Sequence, residues 1–177
     1  MNYKTLLLII AAGFLFTRTR RKKGMMLSKN FTLDEFTKSA TAKRLGINNT
    51  PDPMQIANIQ ELVQKVLQPL RTGLGFPIII SSGFRSEALN QAIGGAYNSQ
   101  HLAKNGAAAD IDVGSKNAQV FEYIKTHLPY DQLIWEAGSQ DLSKPGANPD
   151  WVHVSYKGAG NRFQVLQYIP GQGYLDI

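Results

Sequence analysis

Apolar side chains recur every three or four residues along the stretch that follows Asp52-Pro53. This spacing places them on one face of an α-helix. Proline is favoured in the first turn of a helix and glycine just past its end, so we predict an amphipathic, core-packing helix from Pro53 to a stop before Gly73 or Gly75. Its apolar positions are Met54, Ile56, Ile59, Leu62, Val63, Val66, Leu67 and Leu70.

The remaining pattern combines short helices with short β-branched runs. Thr32 followed by Glu35 is typical of a capping box, so a helix begins there, and Ser86 caps a helix that reaches Ile93. The other predicted elements are a helix at 116–127 and strands at 77–83, 109–113, 132–135, 151–155 and 164–169. Strands joined by loops of uneven length, after an early long helix, indicate an α+β domain with a small, mainly antiparallel sheet and flanking helices.

An unbroken apolar run occupies residues 6–16, with Lys4 before it and five basic residues within 18–23 behind it. We expect a hydrophobic helix here, and the order of the charges favours an uncleaved membrane anchor through residues 3–23 with the body inside. A cleaved signal peptide, or an extension before a second start at Met25 or Met26, is the alternative. The predicted organisation is an apolar segment with a basic flank at 1–24, a linker at 25–30, one domain at 31–169 and a tail at 170–177.

The net charge of +6 is concentrated in the first segment. Residues 1–24 hold six of the 19 basic residues and no acidic residue, so the 13 basic residues that follow balance the 13 acidic ones. Because the rest of the chain has no net charge, we do not expect a basic surface that binds a phosphate backbone, and we predict no nucleic-acid partner. The chain also has no cysteine, which excludes disulfides and thiolate metal ligands.

Two of the three histidines lie beside carboxylates in segments with strand patterns. His101 precedes the run that contains Asp110 and Asp112, and His153 follows Asp150 by three residues. Two imidazoles and one carboxylate can hold zinc and leave a fourth position for water, which is the arrangement of a hydrolase. The third histidine, His127, ends a predicted helix and is assigned no catalytic role.

Five segments together resemble, in order, the zinc D-alanyl-D-alanine carboxypeptidase family, which includes phage endolysins that cut the L-alanyl-D-glutamate bond. The segments are Ser81-Ser82-Gly83-Phe84-Arg85-Ser86, Ser99-Gln100-His101, Ala109-Asp110-Ile111, Gln132-Leu133-Ile134-Trp135-Glu136 and Trp151-Val152-His153-Val154-Ser155. The resemblance extends over about residues 27–166, nearly the whole body. It implies the hedgehog/DD-peptidase α+β fold, here preceded by the N-terminal hydrophobic helix.

The resemblance also implies a role for each matching residue. The implied zinc ligands are His101, Asp110 and His153. Asp150 matches the catalytic carboxylate, Arg85 the arginine that steadies the developing oxyanion, and Ser99 a serine that contacts the substrate.

The choice of the acidic ligand stays open at this point. The family usually places six residues between its first histidine and its aspartate, whereas eight stand here, and we expect the extra pair to enlarge the loop at 103–106. Asp112 competes with Asp110, because residues two apart in a strand share a face, and it could instead accept a hydrogen bond from a ligating imidazole. Asp150 has the opposite parity to His153, so it faces the metal only if the strand entrance is irregular.

We therefore expect a zinc-dependent peptidase that acts on the stem peptide of peptidoglycan, as a DD-carboxypeptidase or an endopeptidase. The alternative is a non-catalytic cell-wall-binding or virion structural module on the same fold. A monomer is expected, associated with the membrane or the cell envelope, with a phage or prophage source as one possibility. Four further side chains could line a substrate groove or belong to the core or its rim, namely Trp135, Glu136, Trp151 and Tyr156.

Overall fold

The computed structural model of the protein describes residues 24–177. The helices in this part of the chain are α1 (Leu33–Thr37), α2 (Ala40–Leu45), α3 (Pro53–Leu62), α4 (Gln68–Leu74), α5 (Glu87–Ala92) and α6 (Asn117–His127). A π-helical segment at Val63–Leu67 joins α3 to α4, and 3₁₀ turns lie at Gln100–Leu102 and Gly114–Lys116.

The helix ends follow the local sequence signals. Thr32 and Glu35 form the predicted capping box at α1, and Asp52 forms a second one with Gln55 at the start of α3. The long helical stretch ends at Gly75, whose φ of 72° lies in the left-handed region that glycine adopts without strain. The predicted helix from Pro53 is therefore confirmed, with the π segment inside it.

Six strands form one sheet in the order β1-β2-β4-β3-β5-β6. Their bounds are β1 (Ile80–Ser82), β2 (Ala107–Ile111), β3 (Gln132–Glu136), β4 (Trp151–Tyr156), β5 (Gln164–Ile169) and β6 (Gly173–Asp176). All neighbouring pairs are antiparallel except β3 and β5, which are parallel. The α+β class with a mainly antiparallel sheet is confirmed.

The two faces of the sheet have different surroundings because alternate strand residues point to opposite sides. Ala109, Leu133, Val152 and Val154 share one face and join the buried cluster formed with α3, α4 and α6. The largest fully buried members of the core include Phe31, Phe36, Phe121, Ile59, Leu62, Leu67, Leu70, Ile111 and Ile124. The other face is free of this helix packing and carries the polar residues described below.

The structure differs from the sequence prediction at both edges of the domain. Residues 25–30, predicted as a linker, pack onto the fold: Leu27 is buried and Met26 forms an isolated bridge with Thr32. Residues 170–177, predicted as a tail, contain β6, which returns along β5 after a turn at 170–172. Both segments are too short to show a clear periodicity, so their place in the fold depends on the partner strand rather than on their own pattern.

The predicted N-terminal hydrophobic helix lies outside the described residues. Within residues 24–177, no helix combines the length and the apolar character needed to cross a membrane.

Candidate functional site

Three side chains with metal-ligand chemistry meet on the free face of the sheet. Asp110 of β2 and His153 of β4 are directly paired in the antiparallel register, and His101 comes from the 3₁₀ turn before β2. Asp110 Oδ1 lies 2.9 Å from His153 Nδ1 and 3.2 Å from His101 Nε2. All three residues are buried, and their ligand atoms lie within 4.8 Å of one another. The structure thus brings together the three predicted ligands.

The loop between β1 and α5 holds His101 from two sides. His101 Nδ1 lies 2.7 Å from the Gly83 carbonyl oxygen, and the Arg85 amide donates to the His101 carbonyl at 2.9 Å. Gly83 has to be glycine here, because a Cβ would collide with the backbone of Phe36. Since a carbonyl only accepts hydrogen bonds, Nδ1 of His101 carries the proton and Nε2 presents a lone pair to the cluster.

A second chain of hydrogen bonds orients His153. Gln100 Nε2 donates to Asp131 Oδ2 at 2.8 Å, which turns Gln100 Oε1 toward His153 Nε2 at 3.2 Å. Asp131 is itself buried and receives hydrogen bonds from Arg162, with Lys157 Nζ at 3.0 Å. His153 Nε2 therefore carries the proton, and Nδ1 presents its lone pair to Asp110.

The donor set fits a metal ion. The ring protons are on His101 Nδ1 and His153 Nε2, the outer nitrogens, which point away from the cluster. The inner nitrogens, His101 Nε2 and His153 Nδ1, and Asp110 Oδ1 are then three electron-pair donors that face one another. A cation between them removes this repulsion, and two imidazole nitrogens with one carboxylate oxygen suit zinc-type ions. Hydrogen bonds from the outer nitrogens to Gly83 and Gln100 are the support that ligating histidines generally receive.

Asp110 stays ionised in these surroundings. Burial by itself raises its pKa, whereas imidazoles that donate to Oδ1 hold the pKa of Asp110 below its usual range, and a metal ion in their place acts in the same direction. The second oxygen, Oδ2, accepts from Arg85 Nη2 at 3.1 Å, and the same guanidinium nitrogen donates to Ser82 Oγ at 2.9 Å. The carboxylate therefore has one oxygen in the cluster and one on the arginine.

A cavity of about 890 Å³ lies above the cluster. Of the predicted site residues, Arg85 and Ser99 line it together with the three candidate ligands. Trp151 also lines it, whereas Trp135 lies in the core, with its ring 5.3 Å from Phe121 in an edge-to-face arrangement. Tyr156, like Trp135, does not line the cavity, and it packs against the core.

The two remaining predicted acids lie elsewhere. Asp112 follows the end of β2, where its side chain accepts from the Gly114 amide and from Asn117 rather than from an imidazole. Asp150 is exposed and is not among the residues that line the cavity. Asp150 lies at a bend just before β4, and its amide donates to the Glu136 carbonyl, one residue out of the register that pairs Glu136 with Trp151.

Glu136 is a carboxylate of the cavity to which the sequence reasoning gave no chemical role. It ends β3, is 7% exposed and lines the cavity. Burial raises the pKa of Glu136 to about 7, and the negative charge of Asp110 adds to the rise. An acidic residue directly after three apolar strand residues is the sequence signal that marks it.

Comparison with known proteins identifies a family for the chain. The family model described as Peptidase M15 matches residues 29–141, which is more than half of the sequence. The match includes Arg85, His101 and Asp110 and ends before His153, which the fold brings to the same cluster. A search of the curated proteins finds no match. The chain belongs to the peptidase M15 family, a family of metallopeptidases.

Proposed function

We propose that the protein is a zinc-dependent peptidase that hydrolyses the stem peptide of peptidoglycan, as a D-alanyl-D-alanine carboxypeptidase or as an endopeptidase. The observation that carries the proposal is the buried cluster of His101, Asp110 and His153 on the floor of an open cavity. Catalytic zinc sites use three protein ligands and keep one position for water or substrate, whereas structural sites use four. Family membership supports the peptidase class, and the five-segment resemblance supports the substrate.

The roles of the side chains follow from their positions. Zinc bound by His101, Asp110 and His153 would lower the pKa of a water molecule to ~7 and polarise the scissile carbonyl. The Arg85 guanidinium, beside the cluster and open to the cavity, stabilises the negative charge that develops on the carbonyl oxygen. The loss of one such donor typically costs roughly 3 kcal/mol of transition-state stabilisation. Ser99 contacts the bound peptide from the cavity wall.

Charges on the cavity wall support a substrate that carries carboxylates. Lys157 and Arg162 both line the cavity and both pair with Asp131, so this group of three has one excess positive charge. Peptidoglycan stem peptides present several carboxylates, and this locally positive part of the wall attracts them.

The test combines metal content with product analysis. We expect the purified protein to contain one zinc per chain and to release amino acids or peptide fragments from peptidoglycan, with mass spectrometry separating terminal D-alanine release from internal cleavage. His153→Ala should lose both the zinc and the cleavage, because it removes one of three ligands. His127→Ala is the matched control: His127 lies on α6, stacked on Tyr123, and its loss should change neither quantity.

Two outcomes would overturn the proposal. A wild-type protein without stoichiometric zinc has no metallopeptidase site. A protein that holds zinc and sediments with peptidoglycan, yet releases no fragment, is the non-catalytic binding module instead. Circular dichroism of His153→Ala, together with His101→Ala as a second ligand variant, separates loss of the metal from loss of the fold.

A further inference from the structure

A basic group lies at the end of the cavity where β3 begins and β4 ends. Lys157 and Arg162 both line the cavity, and both contact Asp131, which directly precedes β3. Within residues 24–177, the other acidic residues that line the cavity are Asp110, in the metal-ligand cluster, and Glu136, about 17 Å away along the extended chain at the far end of β3. The excess positive charge is therefore not neutralised at this end of the cavity.

The loop between β4 and β5 brings both cations to the same carboxylate. The Lys157 amide donates to Asn161 Oδ1 at 3.1 Å, which folds the loop back on itself, and the Arg162 amide donates to Asp131 Oδ1 at 3.0 Å. Phe163 has a φ of 54°, a left-handed conformation that is strained for a residue with a β-carbon. Such strain is concentrated at active sites and ligand clamps. Here it accompanies the residue that sets the direction of Arg162.

The Arg162 guanidinium uses only one of its two bidentate edges within the fold. Nε lies 3.1 Å from both carboxylate oxygens of Asp131, and Nη2 lies 2.6 Å from Oδ2, so the Nε–Nη2 edge holds this acid. The Nη1–Nη2 edge carries the other N–H groups, and no acceptor for Nη1 lies within residues 24–177. Because the side chain is 48% exposed and lines the cavity, this second edge is open to a ligand.

Lys157 has free hydrogen-bonding capacity beside this edge. Its Nζ lies 3.0 Å from Asp131 Oδ1, and its side chain is 30% exposed at the cavity wall. An ammonium group has three N–H donors, so one contact with Asp131 leaves two for another acceptor. The two cations thus offer a fork and a point charge to the same space.

Asp131 and Gln100 connect the basic group to the metal-ligand cluster. Gln100 donates to Asp131 at 2.8 Å and accepts from His153 Nε2 at 3.2 Å. Two side chains therefore separate Arg162 from a candidate metal ligand, a path that an extended peptide covers in about four residues or fewer. A peptide whose scissile carbonyl lies at the cluster can place a nearby carboxylate on the basic group.

We propose that Arg162 and Lys157 form a subsite that binds a carboxylate of the peptide substrate and determines which peptides are cleaved. This inference rests on the proposed peptidase function. The free edge of Arg162 binds the carboxylate through two parallel hydrogen bonds, and Lys157 adds a third. Asp131 holds both cations in place from the protein side. The carboxylate comes from the C-terminus of the peptide or from one of its internal residues, and amidated substrates distinguish the two sources.

The test measures kcat/KM of the zinc-loaded protein on three synthetic stem peptides. The first is the parent peptide, the second has its C-terminal carboxylate converted to an amide, and the third has its internal carboxylates converted to amides. The wild type should cleave one of the amidated peptides about 10- to 100-fold less efficiently than the parent, the usual effect of losing hydrogen bonds between charged groups. The peptide that shows the loss identifies the source of the carboxylate.

The variants connect this preference to the basic group. Arg162→Gln should cleave the parent as poorly as the wild type cleaves the affected amide, and it should no longer prefer the carboxylate. Lys157→Gln, which leaves the pair of Arg162 and Asp131 in place, should reduce the same preference. A change that only disturbs the fold or the zinc site lowers kcat/KM for all three peptides and leaves their ratios unchanged. Arg44→Gln, on the exposed side of α2, is the matched control and should keep the wild-type ratios.

Three results would overturn the inference. If the wild type cleaves all three peptides equally well, it recognises no carboxylate, and the inference is wrong while the peptidase function stands. If the wild type prefers a carboxylate and both variants keep that preference, the carboxylate binds elsewhere and the inference is again wrong. A wild-type protein that cleaves none of the peptides overturns the proposed function and this inference with it.

Discussion

Each histidine of the cluster has one ring nitrogen inside the cluster and one bound to an oxygen outside it. The outer partners are the Gly83 carbonyl for His101 and the Gln100 side chain for His153. These contacts select the tautomer that leaves the inner nitrogens free for a metal. Gly83 and Gln100 lie in motif segments of the sequence, but only the fold shows that their oxygens face the rings.

The Gln100 side chain provides a direct test of this support. Gln100→Leu removes the acceptor of His153 Nε2 at similar volume, so the ring loses its fixed orientation. We expect zinc affinity to fall about 10- to 100-fold, the usual effect of losing such an outer partner. Competition with a chromophoric chelator measures it. Gln119→Leu, on the exposed side of α6, is the control and should bind zinc as the wild type does. Equal affinity in the two variants would mean that Gln100 does not orient His153.

The sequence predicts the three metal ligands but does not by itself decide between Asp110 and Asp112 as the acidic one. The positions of His101, Asp110 and His153 were predicted from the ordered segments, and the structure places them together. Asp110 and Asp112 could not be separated by parity, since both would share a face of a continuous strand. The separation comes from the end of β2 at Ile111, which leaves Asp112 in a turn.

At the scale of elements, Asp131 joins three parts of the fold that the sequence does not connect. It precedes β3, receives hydrogen bonds from Arg162 in the connection between β4 and β5, and holds Gln100 of the 3₁₀ turn. Its pKa falls to about 2: burial alone would raise it, but the hydrogen bonds from Arg162 and Lys157 outweigh burial.

Asp131→Asn should therefore lower the free energy of unfolding by about 1–3 kcal/mol at neutral pH. A carboxyl whose pKa is lower in the folded state stabilises the fold above its unfolded pKa of about 4, and this contribution is lost as the pH falls toward 2. The variant should thus lose less stability than the wild type between those pH values. Urea unfolding at several pH values measures both effects, with the exposed Asp176→Asn as control. Parallel pH curves for Asp131→Asn and wild type would contradict the prediction.

Elements with strong local signals were predicted well, and those that depend on partners were not. The capping box at Thr32 and the helix from Pro53 are encoded in a few consecutive residues. The strand predicted at 77–83 is ordered as a strand only over Ile80–Ser82, because only there does β2 provide a partner. The register that pairs Asp110 with His153 joins residues 43 apart in the chain, and no local pattern contains it.

At the scale of the whole molecule, the sheet separates stability from chemistry. One face packs Val152, Val154 and Leu133 against the helices, and the other presents Asp110, His153 and Glu136 to the cavity. Alternation along each strand produces both faces from the same residues. A change on the cavity face can therefore alter the chemistry while the core keeps its packing.

Metal binding should stabilise the whole fold, because its ligands come from distant parts of the chain. His101, Asp110 and His153 meet only when the 3₁₀ turn, β2 and β4 are assembled, so an unfolded chain cannot reproduce the site. Zinc at about 100 times its Kd would add roughly 2.7 kcal/mol to the free energy of unfolding. For a chain of this size that corresponds to a rise in Tm of roughly 5–10 °C over the chelator-treated protein. Thermal unfolding with and without zinc measures the shift. His127→Ala should keep it and His101→Ala should lose it, since only the second removes a ligand. A shift that persists in His101→Ala would place the stabilising ion away from the cluster.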